Sequence, residues 1–333
     1  MIQTAFLGDV VLTTPLLAVL AQRHGPVDVV THPGAAPLLE THPAVRRVIV
    51  YDKHGRERGP GALWRLARKL RADRYAVAYL PHRSLRSAAL AWLARVPSRI
   101  GFHDGWPTLY TEVRRRPAEG HEIDRLLALA GVPRPPGTRP TLALLPSDRG
   151  VAERALREAG IGHGFVALAP GSIWGSKRWP YYPDLGAALA ERGSPVVVLG
   201  SRQDESLGDT VVGAVRRAGG QAVSTCGRLS LRESAALIGL AAVLVTNDSA
   251  PLHLAQAVET PVVAIFGPTV PAFGFGPRGP RDRALGVPGL DCRPCHRHGP
   301  PACPLGHHRC MRDLTVAEVL HAIEETGALR RRD

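Results

Sequence analysis

The residues best suited to chemistry fall in four short stretches. Between Leu244 and Thr269 an apolar run ends in the turn Thr246-Asn247-Asp248-Ser249, which opens a short amphipathic segment before a second apolar run, Val262 to Phe266. This reads as strand, loop, helix, strand. Pro251 falls in the first helical turn, where its missing N–H costs nothing, and Asp248 or Ser249 stands ready to cap the free N–H groups. A helix start beyond a buried parallel strand suits a phosphate or diphosphate. In the second stretch, Pro170 to Pro180, a tight turn, Pro170-Gly171-Ser172, precedes Lys177. Small residues let a backbone approach a ligand, and a lysine reaches a phosphate as a flexible point charge. The third, PHRSLRS, sets His82, Arg83, Ser84 and Arg86 behind the apolar run Tyr75 to Leu80, a cluster of donors at a strand end. The fourth is Cys292-x2-Cys295-x7-Cys303-x6-Cys310 with His296, His298, His307 and His308 between, holding all but one of the 5 cysteines. Such thiolates could ligate structural zinc or an iron-sulfur cluster; packed reduced thiols and a redox role are the alternatives.

These residues need elements to hold them, and the hydrophobic pattern supplies an alternation of strands and helices. Ile2 to Leu7 reads as a buried strand, Gly8-Asp9 as a turn, and Val10 to Gln22 as a helix with Asp9 placed to cap it. Strands are expected at Val27 to Thr31, Val45 to Tyr51, Tyr75 to Leu80 and Arg99 to Phe102, with a basic amphipathic helix at Ala62 to Arg71. KHGRERGP, from Lys53 to Pro60, reads as a solvated loop. The stretch Gly131 to Pro140, GVPRPPGTRP, is dense in Pro and Gly and opens a linker, so domains are set at 1–148 and 149–333. In the second half strands are expected at Phe165 to Ala169, Pro195 to Gly200, Ala222 to Thr225 and in the two runs around the Asn247 turn, and the final Arg330 to Asp333 should fray.

The chain is 333 residues long, enough for two ordinary cores, and its 44% apolar content fits an α/β protein. No apolar run approaches the roughly 20 residues that span a bilayer, and no signal peptide is evident, so a cytoplasmic location is expected. The formal charge is +13, of which +10 lies in residues 1 to 145, where 21 Lys and Arg face 11 Asp and Glu. Basic surface serves nucleic acid, anionic lipid or phosphorylated substrate, or follows a general arginine-rich habit. No nucleic-acid motif accompanies the charge, so nucleic acid is not expected as a partner. An ordinary NAD oxidoreductase is disfavoured because no G-x-G-x-x-G follows the first strand.

NDSAPLHLAQAVETPVVAIFGPT resembles the donor-site signature of the ADP-heptose:lipopolysaccharide heptosyltransferases, glycosyltransferase family 9. IQTAFLGDVVLTTPLLAVL resembles the family's first strand, Gly-Asp turn and helix; PGSIWGSKRWP its phosphate-binding segment; and YLPHRSLRSAALAWLARVPSRIGF its acceptor-side segment. The late cysteine run draws the likeness toward the branch that adds the second inner-core heptose. Ala250-Pro251 stands where Gly followed by Leu or Met is expected. The resemblance implies a GT-B fold, two Rossmann-like α/β domains whose parallel sheets face each other across a cleft. It implies inverting transfer of heptose from ADP-heptose to the lipopolysaccharide inner core by a monomer at the cytoplasmic face of the inner membrane. No cofactor is then required for catalysis. Asp9 becomes the catalytic base; Ser172, Lys177, Asp248, Ser249, Ala250 and His253 the donor site; His82, Arg83, Ser84 and Arg86 the acceptor site. Two rival readings are a sugar-nucleotide 2-epimerase of the same architecture and a basic protein that binds nucleic acid or anionic membrane.

Overall fold

The computed structural model describes residues 1–329 except 134 and 136; the expected fraying of Arg330 to Asp333 lies outside the described residues. The chain divides into two compact units, Met1–Ala143 and Leu144–Asp333. The division precedes the 148/149 boundary read from the sequence, because the helix that begins at Pro146 packs within the second unit.

The first unit runs α1 (Leu7–Leu12), α2 (Thr14–His24), β1 (Val27–Thr31), α3 (Ala36–Leu39), β2 (Val45–Val50), α4 (Pro60–Ala72), β3 (Val77–Leu80), α5 (Leu85–Leu93), β4 (Ser98–Phe102), β5 (Glu112–Arg114) and α6 (Glu122–Leu129). All its strand pairs are parallel: β1 with β2, β3 with β4, and β4 with β5. The expected first strand contracts to a single bridge, Ile2 to Val30. Ile2 N–H nevertheless donates to Tyr79 O and Gln3 N–H to Val30 O, so this short segment joins β1 to β3. The layer therefore reads β2, β1, Ile2 segment, β3, β4, β5, a doubly wound order that reverses direction between the Ile2 segment and β3.

The expected helix from Val10 to Gln22 is two helices broken at Thr13. Pro15 has no N–H to offer the Val11 carbonyl four residues back, and the Thr14 hydroxyl takes that carbonyl instead at 2.8 Å. Thr13 Oγ1 donates to Asp9 O at 2.6 Å and accepts from Gln3 Nε2 at 2.9 Å. The break thus ties the helix pair back to the first segment.

The second unit runs α7 (Pro146–Glu158), β6 (Val166–Ala169), α8 (Tyr182–Ala190), β7 (Val196–Val198), α9 (Glu205–Arg217), β8 (Ala222–Ser224), α10 (Leu231–Leu240), β9 (Val243–Asn247), α11 (Ala250–Ala257), β10 (Val262–Ile265), β11 (Arg283–Leu285), α12 (Arg309–Arg312) and α13 (Val316–Glu325). Its sheet is parallel throughout, in the order β11-β10-β9-β6-β7-β8. Every residue of β6, β7, β9 and β10 is buried, which is why β6, β7 and β10 appear in the sequence as unbroken Val, Leu, Ile and Ala runs and β9 as one that ends in Thr246 and Asn247. The order reverses between β6 and β9. The loops after these two strands, one carrying Ser172 and the other Asp248, therefore leave neighbouring positions in the sheet.

Asn247, fully buried at the end of β9, fastens those two loops together. Its Oδ1 accepts from Trp179 N–H at 3.1 Å and its Nδ2 donates to Pro170 O at 2.9 Å; the Tyr182 hydroxyl is a longer partner at 3.4 Å. Replacing it with Ala would leave a buried donor and a buried acceptor unpaired, costing about 2–4 kcal/mol. Asn247→Ala is expected to lower the denaturant midpoint of the second unit by a corresponding amount. Tyr182→Phe, which removes only the long bond, should cost less than about 1 kcal/mol.

Candidate active-site clusters

In the second unit the phosphate-binding stretch leaves β6 and enters a single 3-10 turn, Gly175–Lys177, before α8. That turn buries Lys177 and aims its ammonium at the loop after β9. Lys177 Nζ donates to Asp248 Oδ2 at 2.6 Å and to Asp248 O at 3.1 Å, and Thr269 Oγ1 donates to the same carboxylate oxygen at 2.7 Å. An ammonium has three protons, so one donor direction of Lys177 is left over. Asp248, committed to this pair, does not cap α11. Ser249 is the N-cap residue but makes no side-chain cap bond, because its hydroxyl turns back to Asn247 O at 3.3 Å. The expected side-chain cap is thus not formed by either residue, both being engaged on the strand side.

The remaining predicted donor residues divide. Ser172 Oγ accepts from Trp174 N–H at 3.3 Å, closing its own turn, while Ser172 O takes two bonds from Arg178. Ala250 opens α11 and is half-buried. His253 is buried one turn along that helix. Its Nδ1 meets Gln256 Oε1 at 3.2 Å, and burial holds its pKa below the usual histidine value. The imidazole is therefore neutral. Asp248 and Lys177 both act on it electrostatically, in opposite directions.

The late loop covers this cluster, a role the sequence reading did not give it. His308 Nε2 bonds Ser176 O at 2.7 Å, and the Ser176 hydroxyl donates to Pro300 O. Gly299 adopts φ +88°, and a Cβ there would meet the Lys177 side chain at 3.0 Å. A side chain at 299 would thus press on the lysine stem. Cys292, Cys295, Cys303 and Cys310 form no disulfide, and among the described residues no three His, Cys, Asp or Glu side chains are grouped to hold a metal ion. Cys310 is buried beside Met311 in the core of the unit, Cys303 Sγ accepts from His308 N–H, and Cys295 is exposed. The sulfurs remain close enough to act on one another: burial first, then the other three thiols, pushes Cys310 up to about 11.

In the first unit a second cluster forms where the strand order reverses. Thr4 Oγ1, just past the Ile2 segment, lies 3.3 Å from His82 Nε2, 3.4 Å from Ser87 Oγ and 3.2 Å from Lys53 Nζ. Burial, with Lys53 nearby, lowers His82 to about 4, so it too is neutral. Lys53 has no carboxylate partner among the described residues. Also buried in this unit are Tyr51 Oη, which lies near Arg86, and His32 Nε2, which has no hydrogen-bond partner among the described residues.

Of the residues expected to bind an acceptor, only His82 enters the cluster directly. Arg86 braces the loop behind it, donating to Lys53 O at 2.8 Å and Arg58 O at 3.0 Å. Ser84 caps α5 through Ser87 N–H, and Arg83 pairs with Asp104 at 3.2 Å. Asp9 sits at the third position of α1, where its Oδ2 accepts from Phe6 N–H at 3.2 Å. It is thus not the N-cap residue expected before Val10: Phe6 holds that position, and Asp9 braces it from inside the first turn of α1. Lys53 was read as part of a solvated loop. A signal was available: only three of the 42 Lys and Arg residues are lysine, Lys53, Lys69 and Lys177, and two of these stand at the reversal points of the two sheets.

The model of glycosyltransferase family 9 (heptosyltransferase) matches residues 63–304. The chain is 26% identical over 354 residues to lipopolysaccharide heptosyltransferase 2 of Salmonella typhimurium, covering 96% of each chain. It is 27% identical over 345 residues to the Escherichia coli K12 protein of the same name, covering 98% of this chain and 96% of that one. Among solved structures, E. coli ADP-heptose lps heptosyltransferase II aligns with TM-score 0.80 at 25% identity, over 98% of this chain and 97% of that chain. The family 9 glycosyl transferase of Veillonella parvula aligns with TM-score 0.83 at 22% identity, over 98% and 95%, and speaks for the fold alone. Matched over most of its length by the family model, and sharing the fold of the family's solved members, the chain belongs to glycosyltransferase family 9, the heptosyltransferases.

Proposed function

We propose that the protein transfers heptose from ADP-heptose to a hydroxyl of the lipopolysaccharide inner core, with inversion, at the cytoplasmic face of the inner membrane. The observation that carries this reading is the Lys177–Asp248–Thr269 cluster, set where the second sheet reverses and in front of α11. A diphosphate seated there accepts the third proton of Lys177 and the free N–H groups at the start of α11. Asp9 takes the proton of the acceptor hydroxyl, whose oxygen bonds the anomeric carbon as the bond to the diphosphate breaks. Negative charge then gathers on the leaving phosphate, where Lys177 and the helix N–H groups stabilise it. The first-unit cluster holds an anionic group of the acceptor, with Lys53 as the cation and Thr4 and Ser87 as hydroxyl partners. Metal has no part in the transfer as proposed. The names of the relatives favour heptose transfer over epimerisation.

Incubation with ADP-heptose and a heptose-deficient inner-core acceptor tests this directly. Transfer requires a mass gain on the acceptor, whereas an epimerase would release sugar and nucleotide with no acceptor present. Asp9→Asn should lower turnover by roughly 100-fold or more while ADP affinity stays constant. The loss of its cap is the structural alternative, and it would show as a lower melting temperature with normal turnover. Lys177→Ala should weaken ADP binding about 10-fold or more, whereas Lys53→Ala should raise the KM for acceptor and leave ADP binding alone. Unchanged ADP affinity in Lys177→Ala would remove that lysine from the donor site.

Acid acts on the same first-unit cluster. His82 is neutral in the folded protein down to about pH 4, but once unfolded it binds a proton near the ordinary value of 6.5. Its contribution is therefore fully present above pH 6.5 and is lost as pH falls toward 4. That loss is about 3 kcal/mol. Thermal unfolding of the first unit should show this decline between pH 6.5 and 4, and His82→Gln should flatten it. An identical slope in the variant would assign the effect to other groups.

A further inference from the structure

The outer face of the first unit has a composition that neither cluster accounts for. α4 and α5 lie side by side and share one core, in which Leu66, Ala67 and Leu70 of α4 meet Ala88, Leu90 and Ala91 of α5. With those residues turned inward, α4 presents Trp64, Arg65, Arg68, Lys69 and Arg71 to solvent. No acidic residue occurs between Arg58 and Ala72. None of these four cations has a carboxylate partner among the described residues, and Arg68 stacks instead on Trp64, its guanidinium carbon 5.4 Å from the ring. On α5 the outward stripe is apolar: Leu85 and Trp92, two turns apart, are 49% and 52% exposed, and Trp64 on α4 is 54% exposed. Two tryptophans and a leucine left in water beside four unpaired cations do not stabilise a solvated surface.

We propose that the α4–α5 face docks the protein on an anionic phospholipid bilayer. Cationic side chains attract the headgroup phosphates, Arg and Lys stems lie along the apolar layer, and Trp rings settle at the interface between water and acyl chains. The absence of acid from α4 is what an anionic surface requires, since each carboxylate would be repelled from it. No helix of the described residues is long and apolar enough to cross a membrane, so the contact is peripheral. This inference deepens the reading that the acceptor is anchored in lipid, and it rests on that reading.

Cosedimentation of the full chain with phosphatidylcholine vesicles, with and without phosphatidylglycerol, tests the surface. Binding is expected only with the anionic lipid, falling as salt is raised. Each cation near such a surface is worth roughly a 5-fold change in partitioning, so Arg68→Ala with Lys69→Ala should weaken binding on the order of 20-fold. Trp64→Ser with Trp92→Ser should weaken it without changing its salt dependence. Arg281→Ala with Arg312→Ala, an equal charge change on exposed sites of the second unit, should leave it as it was. Wild-type binding by both α4–α5 variants would overturn the proposal, as would equal binding to neutral vesicles. A titration with duplex DNA runs in parallel; variants that lose DNA but keep vesicles would assign the face to nucleic acid and also overturn it. Transfer to a deacylated, water-soluble acceptor is measured on each variant. Transfer by the wild type without vesicle binding defeats the surface alone, whereas vesicle binding without transfer defeats the functional reading.

Discussion

The second unit depends on one amide. Asn247 ends β9, and its side chain spends Oδ1 on the Trp179 N–H and Nδ2 on the Pro170 carbonyl, joining the strand's exit to both ends of the segment that carries Lys177. The segment is irregular, so its backbone groups have no ladder to satisfy them, and in a buried position each unpaired group is costly. An aspartate at 247 could not donate, and a leucine could do neither. Trp179, held at its backbone by Asn247, donates its indole N–H to Leu314 O at 3.0 Å and so ties the same segment to the turn before α13. Lys177 is presented at a fixed place because everything around it is already bonded.

What is fixed in this way is itself an expense. Lys177 and Asp248 have side chains only 10% and 12% exposed, and burying an ion pair is seldom favourable for stability unless its remaining hydrogen bonds are satisfied. Here Thr269 and the Asp248 carbonyl complete it, and the His308–Ser176 and Pro300–Ser176 contacts close the late loop over it. Apolar residues would fill the same volume without the desolvation. The arrangement has value as a charge held ready. An arginine is not an equivalent replacement, because a planar fork of fixed donors does not reproduce the single ammonium that here meets both Asp248 Oδ2 and Asp248 O.

Much of this was legible because buried parallel strands are continuous apolar runs and because turns announce themselves by Gly, Pro and Asn. β1, β9, β10 and α11 fall where those signals place them. The signals fail where tertiary bonds decide. The Ile2 segment pairs for only one bridge, yet it holds the centre of its sheet through bonds to Tyr79 and Val30 that no local pattern encodes. The short strands β5 and β11 have three residues each and no periodicity to read. Pro15 did carry the break between α1 and α2, but its effect shows only once Thr14 is seen to take the Val11 carbonyl. The cysteine spacing is plain in sequence, but it does not reveal that Cys310 joins the core of the unit or that Cys303 accepts from His308 N–H. Lys53 escaped because its neighbours are charged, and a charged stretch looks solvated unless its contacts with Thr4 and Arg86 are known.

The two reversal points treat their lysines differently, and the difference bears on what each could hold. Lys177 is already neutralised by Asp248, so an incoming anion must share the cation with a carboxylate, which limits how tightly it is held. A product diphosphate must leave after every turnover, and excess affinity for it would slow the cycle without lowering the chemical barrier. Lys53 donates to the Thr4 hydroxyl and has no carboxylate partner among the described residues, and burial, then Arg86, lowers its pKa from the ordinary lysine value. A cation held at such a cost, with no internal counter-charge, gains most from an anion that arrives from outside. Coulomb attraction is strongest where nothing else screens it. A lipid-linked acceptor, dilute and confined to a surface, has the greater need of that attraction. On the proposed reading the neutralised lysine belongs on the side of the leaving group and the unpaired one on the side of the acceptor, which is where the chain has them.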